Sequence, residues 1–155
     1  MSGGDLLIVC LGNICRSPVV AQVVRQRFTA AGVPAVVDSC GTGGWHAGEG
    51  ADHRMVAAAQ AAGYDLTAHR ARQLVVSDFT GFRHVLAMDR ANLSAMQALC
   101  PLAQRDRLGL FLRVAGVDAV DEVPDPYYGG PADFRQVIAL AEQGADGLLQ
   151  RRLLG

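Results

Sequence analysis

The sequence has no lysine: all 14 of its basic residues are arginine. Against 15 acidic residues they leave a net charge of −1, so the basic footprint of a nucleic-acid binder is absent. The arginine-only composition reads as a habit of the source, not as a binding patch. Charged residues are 19% of the chain, and half the chain is apolar. The four cysteines, Cys10, Cys15, Cys40 and Cys100, show no Cys-x-x-Cys spacing, which argues against a zinc site. The chain opens Met1-Ser2-Gly3-Gly4-Asp5, without a positively charged leader, and its first apolar run is only strand length. No run is long enough to span a bilayer. A reduced, cytoplasmic protein without metal, membrane or nucleic-acid partner is therefore expected. Internal repeats, linkers and low-complexity segments are also missing, so residues 1–155 are expected to form one domain.

What is present centres on Val9-Cys10-Leu11-Gly12-Asn13-Ile14-Cys15-Arg16-Ser17-Pro18. The preceding run, Leu6-Leu7-Ile8-Val9, reads as a fully buried strand, and a helical pattern begins at about Val19. Cys10 thus falls at the carboxyl end of a strand, just before a helix N-terminus, where open α/β sheets bind ligands. Helix N-termini attract anions through their unpaired amides and positive dipole end. No proline interrupts Leu11 to Ser17, so each of those amides is free to face an oxyanion. Gly12 and Asn13 tolerate the tight conformations such a nest needs. Arg16 adds a planar fork suited to phosphate oxygens, Ser17 is the expected N-cap, and Pro18 is tolerated in the first turn. These surroundings favour the thiolate of Cys10, a nucleophile able to form a covalent intermediate. A cysteine, five residues, an arginine and a hydroxyl residue make a far more specific pattern than an isolated buried thiol.

Around this stretch the chain alternates strands and helices. Residues 18–31 carry an apolar face through Val19, Val20, Val23, Val24 and Phe28, closed by Gly32 and Pro34. Val33 to Val37 is a strand candidate, and Ser39 to His46 a glycine-rich loop with the lone Trp45. That loop is not a dinucleotide fingerprint, because His46 stands at the third glycine position. Helices are expected over Asp52–Ala62, from Asp89 through about Leu99, and over Ala132–Leu153. Strands are expected over Phe82–Ala87 and Leu108–Leu112. Asp89 is well placed as an N-cap. The order predicts a three-layer α/β domain with about four parallel strands, ordered 2-1-3-4, and helices on both faces.

A second informative stretch is Val123-Pro124-Asp125-Pro126-Tyr127-Tyr128-Gly129-Gly130. Two prolines stiffen the loop around one carboxyl group. Displacement at phosphorus by Cys10 expels an alkoxide or phenoxide unless an acid protonates it, and Asp125 is suited to that task.

The Cys10–Pro18 segment resembles the signature of the low-molecular-weight protein tyrosine phosphatases, and the likeness covers essentially the whole chain. His69-Arg70-Ala71-Arg72-Gln73, Met88-Asp89-Arg90-Ala91-Asn92 and Asp125-Pro126-Tyr127-Tyr128-Gly129 resemble further segments of that family. The resemblance implies Cys10 as nucleophile, and Arg16 with the amides of Leu11, Gly12, Asn13, Ile14, Cys15 and Arg16 as phosphate ligands. It implies Asp125 as general acid and Ser17 as a hydrogen-bond donor to the thiolate. Trp45, Tyr127 and Tyr128 would wall an aromatic slot, and the tyrosines are themselves plausible phosphorylation sites. Ser39 and His69 would hold Asn13, and Cys15 would form a reversible disulfide with Cys10 that shields it from over-oxidation. The implied partners are phosphotyrosine proteins and a cognate tyrosine kinase, with no cofactor and a monomer or weak homodimer. Three other readings compete. An arsenate reductase needs a cysteine relay, for which the later half of the chain offers only Cys100. A phosphoarginine phosphatase resembles this chain except for a Thr where Ile14 stands. A phosphate-binding module needs neither Cys10 nor Asp125.

Overall fold

The computed structural model describes residues 4–152. Four strands form one parallel sheet in the order β2-β1-β3-β4: β1 (Gly4–Cys10), β2 (Val37–Gly41), β3 (Phe82–Ala87) and β4 (Leu108–Leu110). In register, Leu6 faces Val37 and Cys10 faces Gly41 across the first pair, while Val9 faces Ala87 across the second. The helices are α1 (Arg16–Ala30), α2 (His53–Ala61), α3 (Asp78–Gly81), α4 (Arg90–Leu99), α5 (Phe111–Val114) and α6 (Pro131–Gln150).

The period-two alternation of β1 divides the core into two layers. Leu6, Ile8 and Cys10 pack with α1, α2, α5 and α6, through Val20, Met55, Phe111 and Phe134 among others. Leu7 and Val9 face the other way, onto Phe79 of α3, Met96 of α4, Cys40 and Cys100. The sheet is therefore covered on both faces, as expected from the buried β1 sequence. None of the described helices is long and apolar enough to cross a membrane.

Several boundaries differ from the sequence reading. The second strand is not Val33–Val37 but Val37–Gly41. Helix α1 exits through Gly32, at φ +73°, with the amide of Val33 donating to Phe28 O at 2.9 Å. Pro34 lacks an amide for any ladder, and pairing starts only beyond it. Ser39 to Gly41 consequently belong to a strand, not to the glycine-rich loop. Ser17 is not the N-cap: α1 begins at Arg16, two residues earlier than a Ser17 cap implies, and Cys15 occupies the cap position without a side-chain bond. The fourth strand stops at Leu110, and Phe111–Val114 turns helical. A short helix α3 and a 3-10 turn over Leu102–Arg107 had no clear sequence signal. Helix α6 ends at Gln150; the expected terminal residue Leu153 lies outside the described residues, as do Met1 to Gly3.

Helix α6 lies close against the segment that follows α5. A Cβ on Gly147 would collide with the Ala115 carbonyl oxygen, and one on Gly144 with the Phe111 ring. Alanine is the better helix former, so propensity alone would make Gly147→Ala stabilising. The backbone clash dominates instead: Gly147→Ala is expected to cost about 1–3 kcal/mol, read from the denaturation midpoint.

Candidate active site

The loop from Leu11 to Cys15 joins β1 to α1 at the carboxyl edge of the sheet. Its bend is set by Asn13, a fully buried residue with φ +58°. Every polar group of Asn13 is engaged. Its Nδ2 donates to Ser17 Oγ at 2.8 Å and to Ser39 Oγ at 3.0 Å. Its Oδ1 accepts from the Arg72 amide at 3.0 Å, and its carbonyl oxygen lies 2.7 Å from His69 Nε2. A carbonyl only accepts, so Nε2 of His69 carries the hydrogen. Burial pulls the His69 pKa down, against the opposing pull of that bond, which favours the neutral ring. The Asn13 amide donates to Cys10 Sγ at 3.2 Å.

Cys10 is 3% exposed, at the base of a cavity of about 280 Å³. Its sulfur lies 2.9 Å from Ser17 Oγ. The amides of Gly12, Ile14 and Cys15 find no acceptor among the described residues. They belong to the loop that rings the sulfur, at the N-terminus of α1. Such amides form a ready anion nest. Arg16 is buried beside them. Its Nη1 donates to Asp89 Oδ2 at 2.6 Å and to Val123 O at 3.0 Å. Its Nη2 stands 3.9 Å from Asp125 Oδ2. One side of the fork is thus anchored, and the other points toward the acid at the cavity mouth.

The cavity gathers ten of the expected site residues: Cys10, Leu11, Gly12, Ile14, Cys15, Arg16, Trp45, Asp125, Tyr127 and Tyr128. Asn13, Ser17, Ser39 and His69 do not line it; Asn13 is the buried bend of the loop, and the other three hydrogen-bond it and hold its shape. Asp125 is half-exposed, and its Oδ1 accepts from the Tyr127 amide at 3.1 Å, fixing the carboxyl group within its proline-flanked turn. Tyr127 and Tyr128 meet edge to face, with centroids 5.0 Å apart. Trp45 is 71% exposed and folds over Gly43, where any Cβ would strike its ring. Burial, followed by the charges of Asp52, Cys10 and Asp125, pushes the Cys15 thiol up to about 12. All four cysteines are free thiols.

Three contributors escaped the sequence reading. Asp89 is indeed the N-cap of α4, accepting from the Asn92 amide at 2.8 Å, but its second oxygen also anchors Arg16. His46 lines the cavity against Gly12 and pairs with Glu49 at 3.1 Å. Gly41 has no room for a side chain: its Cβ would sit 2.7 Å from Leu11 O and 3.0 Å from Asn13 N. The glycine-rich loop signalled Gly41, whereas nothing local to Asp89 signals a partner 73 residues away.

The chain matches the model of the family described as low molecular weight phosphotyrosine protein phosphatase over residues 5–153. The chain belongs to that family. It is 44% identical to a low molecular weight protein-tyrosine-phosphatase of Streptomyces coelicolor, across 91% of this chain and 88% of that one. It is 42% identical to the low molecular weight phosphotyrosine protein phosphatase of Schizosaccharomyces pombe, across 84% and 85%. The crystal structure of a protein tyrosine phosphatase from Entamoeba histolytica superposes with a TM-score of 0.92 at 34% identity, covering 97% of each chain. Membership extends over the whole of the site just described, from Cys10 to Tyr128.

The dual engagement of Asp89 separates two energies. Asp89→Asn keeps a good cap and a polar partner for Arg16, whereas Asp89→Ala removes both and leaves the buried guanidinium only Asp125, 3.9 Å away, as a countercharge. We expect Asp89→Ala to lose about 3 kcal/mol or more of unfolding free energy and Asp89→Asn about 1–2 kcal/mol, by chemical denaturation.

Proposed function

We propose that this chain is a protein-tyrosine phosphatase, hydrolysing phosphotyrosine and other aryl phosphates through a phosphocysteine intermediate without a metal. The observation that carries the reading is the Cys10 sulfur at the base of a slot lined by a loop with acceptor-free amides, with Arg16 buried beside it and Asp125 at its mouth. The dianionic phosphate sits on those amides and on the free side of the Arg16 fork, which supply the positive field that a metal would otherwise provide. The Cys10 thiolate attacks phosphorus; the bond to the phenolic oxygen breaks as Asp125 hands that oxygen its proton. Asp125, now a carboxylate, takes a proton from the water that attacks the phosphocysteine. The phosphorus–sulfur bond breaks and the thiolate returns to the hydrogen bond offered by Ser17.

The walls support an aromatic leaving group. Ile14 contributes an apolar flank, and Trp45, Tyr127 and Tyr128 present rings at the mouth. Cys100 lies in the apolar layer on the opposite face of the sheet from Cys10, which disfavours an arsenate-reducing relay. Phosphotyrosine proteins and a cognate tyrosine kinase are the partners this reading implies, in a reducing cytoplasm. Cys15, which lines the slot, is in place to condense with the sulfenic acid that peroxide forms on Cys10, giving a disulfide and releasing water.

In chelator-treated buffer, wild-type protein should hydrolyse para-nitrophenyl phosphate and phosphotyrosine peptides in preference to phosphoserine and phosphoarginine peptides, and Cys10→Ser should be inactive. Asp125→Asn should slow phenyl phosphate by ~10²–10⁴-fold but affect activated esters far less. Equal slowing of both would remove Asp125 from the acid role, and thiol oxidation by arsenate in place of hydrolysis would favour the reductase.

Peroxide should inactivate the enzyme reversibly, with thiols restoring activity in the wild type and failing to do so in Cys15→Ser. Full recovery of Cys15→Ser would show that Cys15 does not shield Cys10.

A further inference from the structure

Beside the slot, between α2 and α6, runs a second concavity of about 610 Å³. Its floor is apolar: Ala58 and Ala61 from α2 face Phe134, Ile138 and Ala139 from α6. The hollow exists because α2 presents alanines there, where larger residues would close it against α6.

The groove begins where the slot ends. Tyr127 and Tyr128 line the slot, and the next two residues, Gly129 and Gly130, line the groove. Arg54 bridges the two. Its guanidinium carbon lies 5.2 Å from the Tyr127 ring centroid and 4.7 Å from that of Phe134. On the phosphatase reading the slot holds the phosphorylated ring, so a peptide carrying that ring leaves across its rim. Leaving past Tyr127 and Gly129 leads it directly onto the groove.

The charges at the margin agree. Glu142 is the one carboxylate lining the groove, and it is already engaged by the Tyr64 hydroxyl at 2.7 Å and by Arg27 at 3.2 Å. Arg54 is held by Asp52, whereas Arg135 makes no ion pair among the described residues. An apolar floor with an unpaired cation beside it suits an apolar side chain with a carboxylate near it.

We propose that this groove is a substrate subsite, which takes an apolar side chain flanking the phosphotyrosine in the target protein. The inference rests on the phosphatase reading above, and its test is separable from that reading. A set of phosphotyrosine peptides, glycine- and serine-based, carries a single leucine scanned through the flanking positions. One register should raise kcat/KM about tenfold over the leucine-free peptide, the effect of burying one aliphatic side chain. An aspartate next to that leucine should raise it further. Ala61→Trp and Ala139→Trp fill the groove from two different helices at exposed positions. Both should abolish the leucine gain while leaving kcat for para-nitrophenyl phosphate unchanged, which also shows that each variant is folded. The proposal is overturned if no register shows a gain, or if the gain survives in both variants. It is also overturned if the groove instead pairs two copies of the chain, seen as a concentration-dependent dimer that Ala139→Trp abolishes without altering peptide kinetics. Absence of para-nitrophenyl phosphate turnover in the wild type would strike the phosphatase reading itself.

Discussion

The left-handed turn at Asn13 is the constraint on which the site depends. Without it the chain from β1 would run on past the sheet edge, and the amides of Gly12, Ile14 and Cys15 would not close into a ring. A non-glycine residue held there costs roughly 1–2 kcal/mol. Four hydrogen bonds from its side chain and carbonyl offset that, at about 1 kcal/mol each. The partners come from α1, β2 and the segment before α3, so the loop is braced from three directions. Arg72 extends the bracing. Its amide holds Asn13 Oδ1, and its guanidinium is clamped by both oxygens of Asp78 at 3.1 Å and by Asp38. The loop is therefore preorganised before any anion arrives, and binding need not order it.

Electrostatics follow from the same scaffold. A buried guanidinium such as Arg16 is tolerable only with a countercharge. Asp89 provides it from the N-cap of α4, and because that carboxylate also caps the helix it has little freedom to move. The cation is neutralised on one side only. Its other nitrogen faces Asp125 across 3.9 Å, on the side that lines the cavity. Opposing Asp89 and Asp125 thus fix the direction in which the arginine fork presents itself.

What was legible in the sequence was what is local or periodic. The Cys10–Pro18 stretch declares its chemistry because nucleophile, nest and arginine are contiguous. The Asp125 turn declares itself through flanking prolines, and the strand order follows from right-handed crossovers between consecutive units. The second strand was misplaced because its residues, Val37 to Gly41, include Asp38 and Ser39, polar groups recruited to Arg72 and Asn13. An apolar-run criterion prefers Val33 to Val37 for just that reason. Ser17 looked like a cap because hydroxyl residues usually are; here the hydroxyl is turned inward to sulfur and Asn13. The sequence around Asp89 signals only its cap, since its second oxygen meets a residue from another βα unit.

The Ser17 hydroxyl shows how the bracing and the chemistry share one proton. It accepts from Asn13 Nδ2, so its single hydrogen has two possible acceptors, Cys10 Sγ at 2.9 Å and Cys40 O at 3.3 Å. A thiolate at Cys10 is a pure acceptor and draws the hydrogen to itself. In the phosphocysteine intermediate we propose, the sulfur would be a poor acceptor, and the hydrogen would turn to the Cys40 carbonyl. The hydroxyl would therefore stay satisfied in both states of the proposed cycle, with no buried polar group orphaned. Alanine at position 17 would leave the thiolate without that donor and Asn13 Nδ2 without one of its two acceptors. The same atom that steadies the nucleophile thus steadies the turn that builds its surroundings.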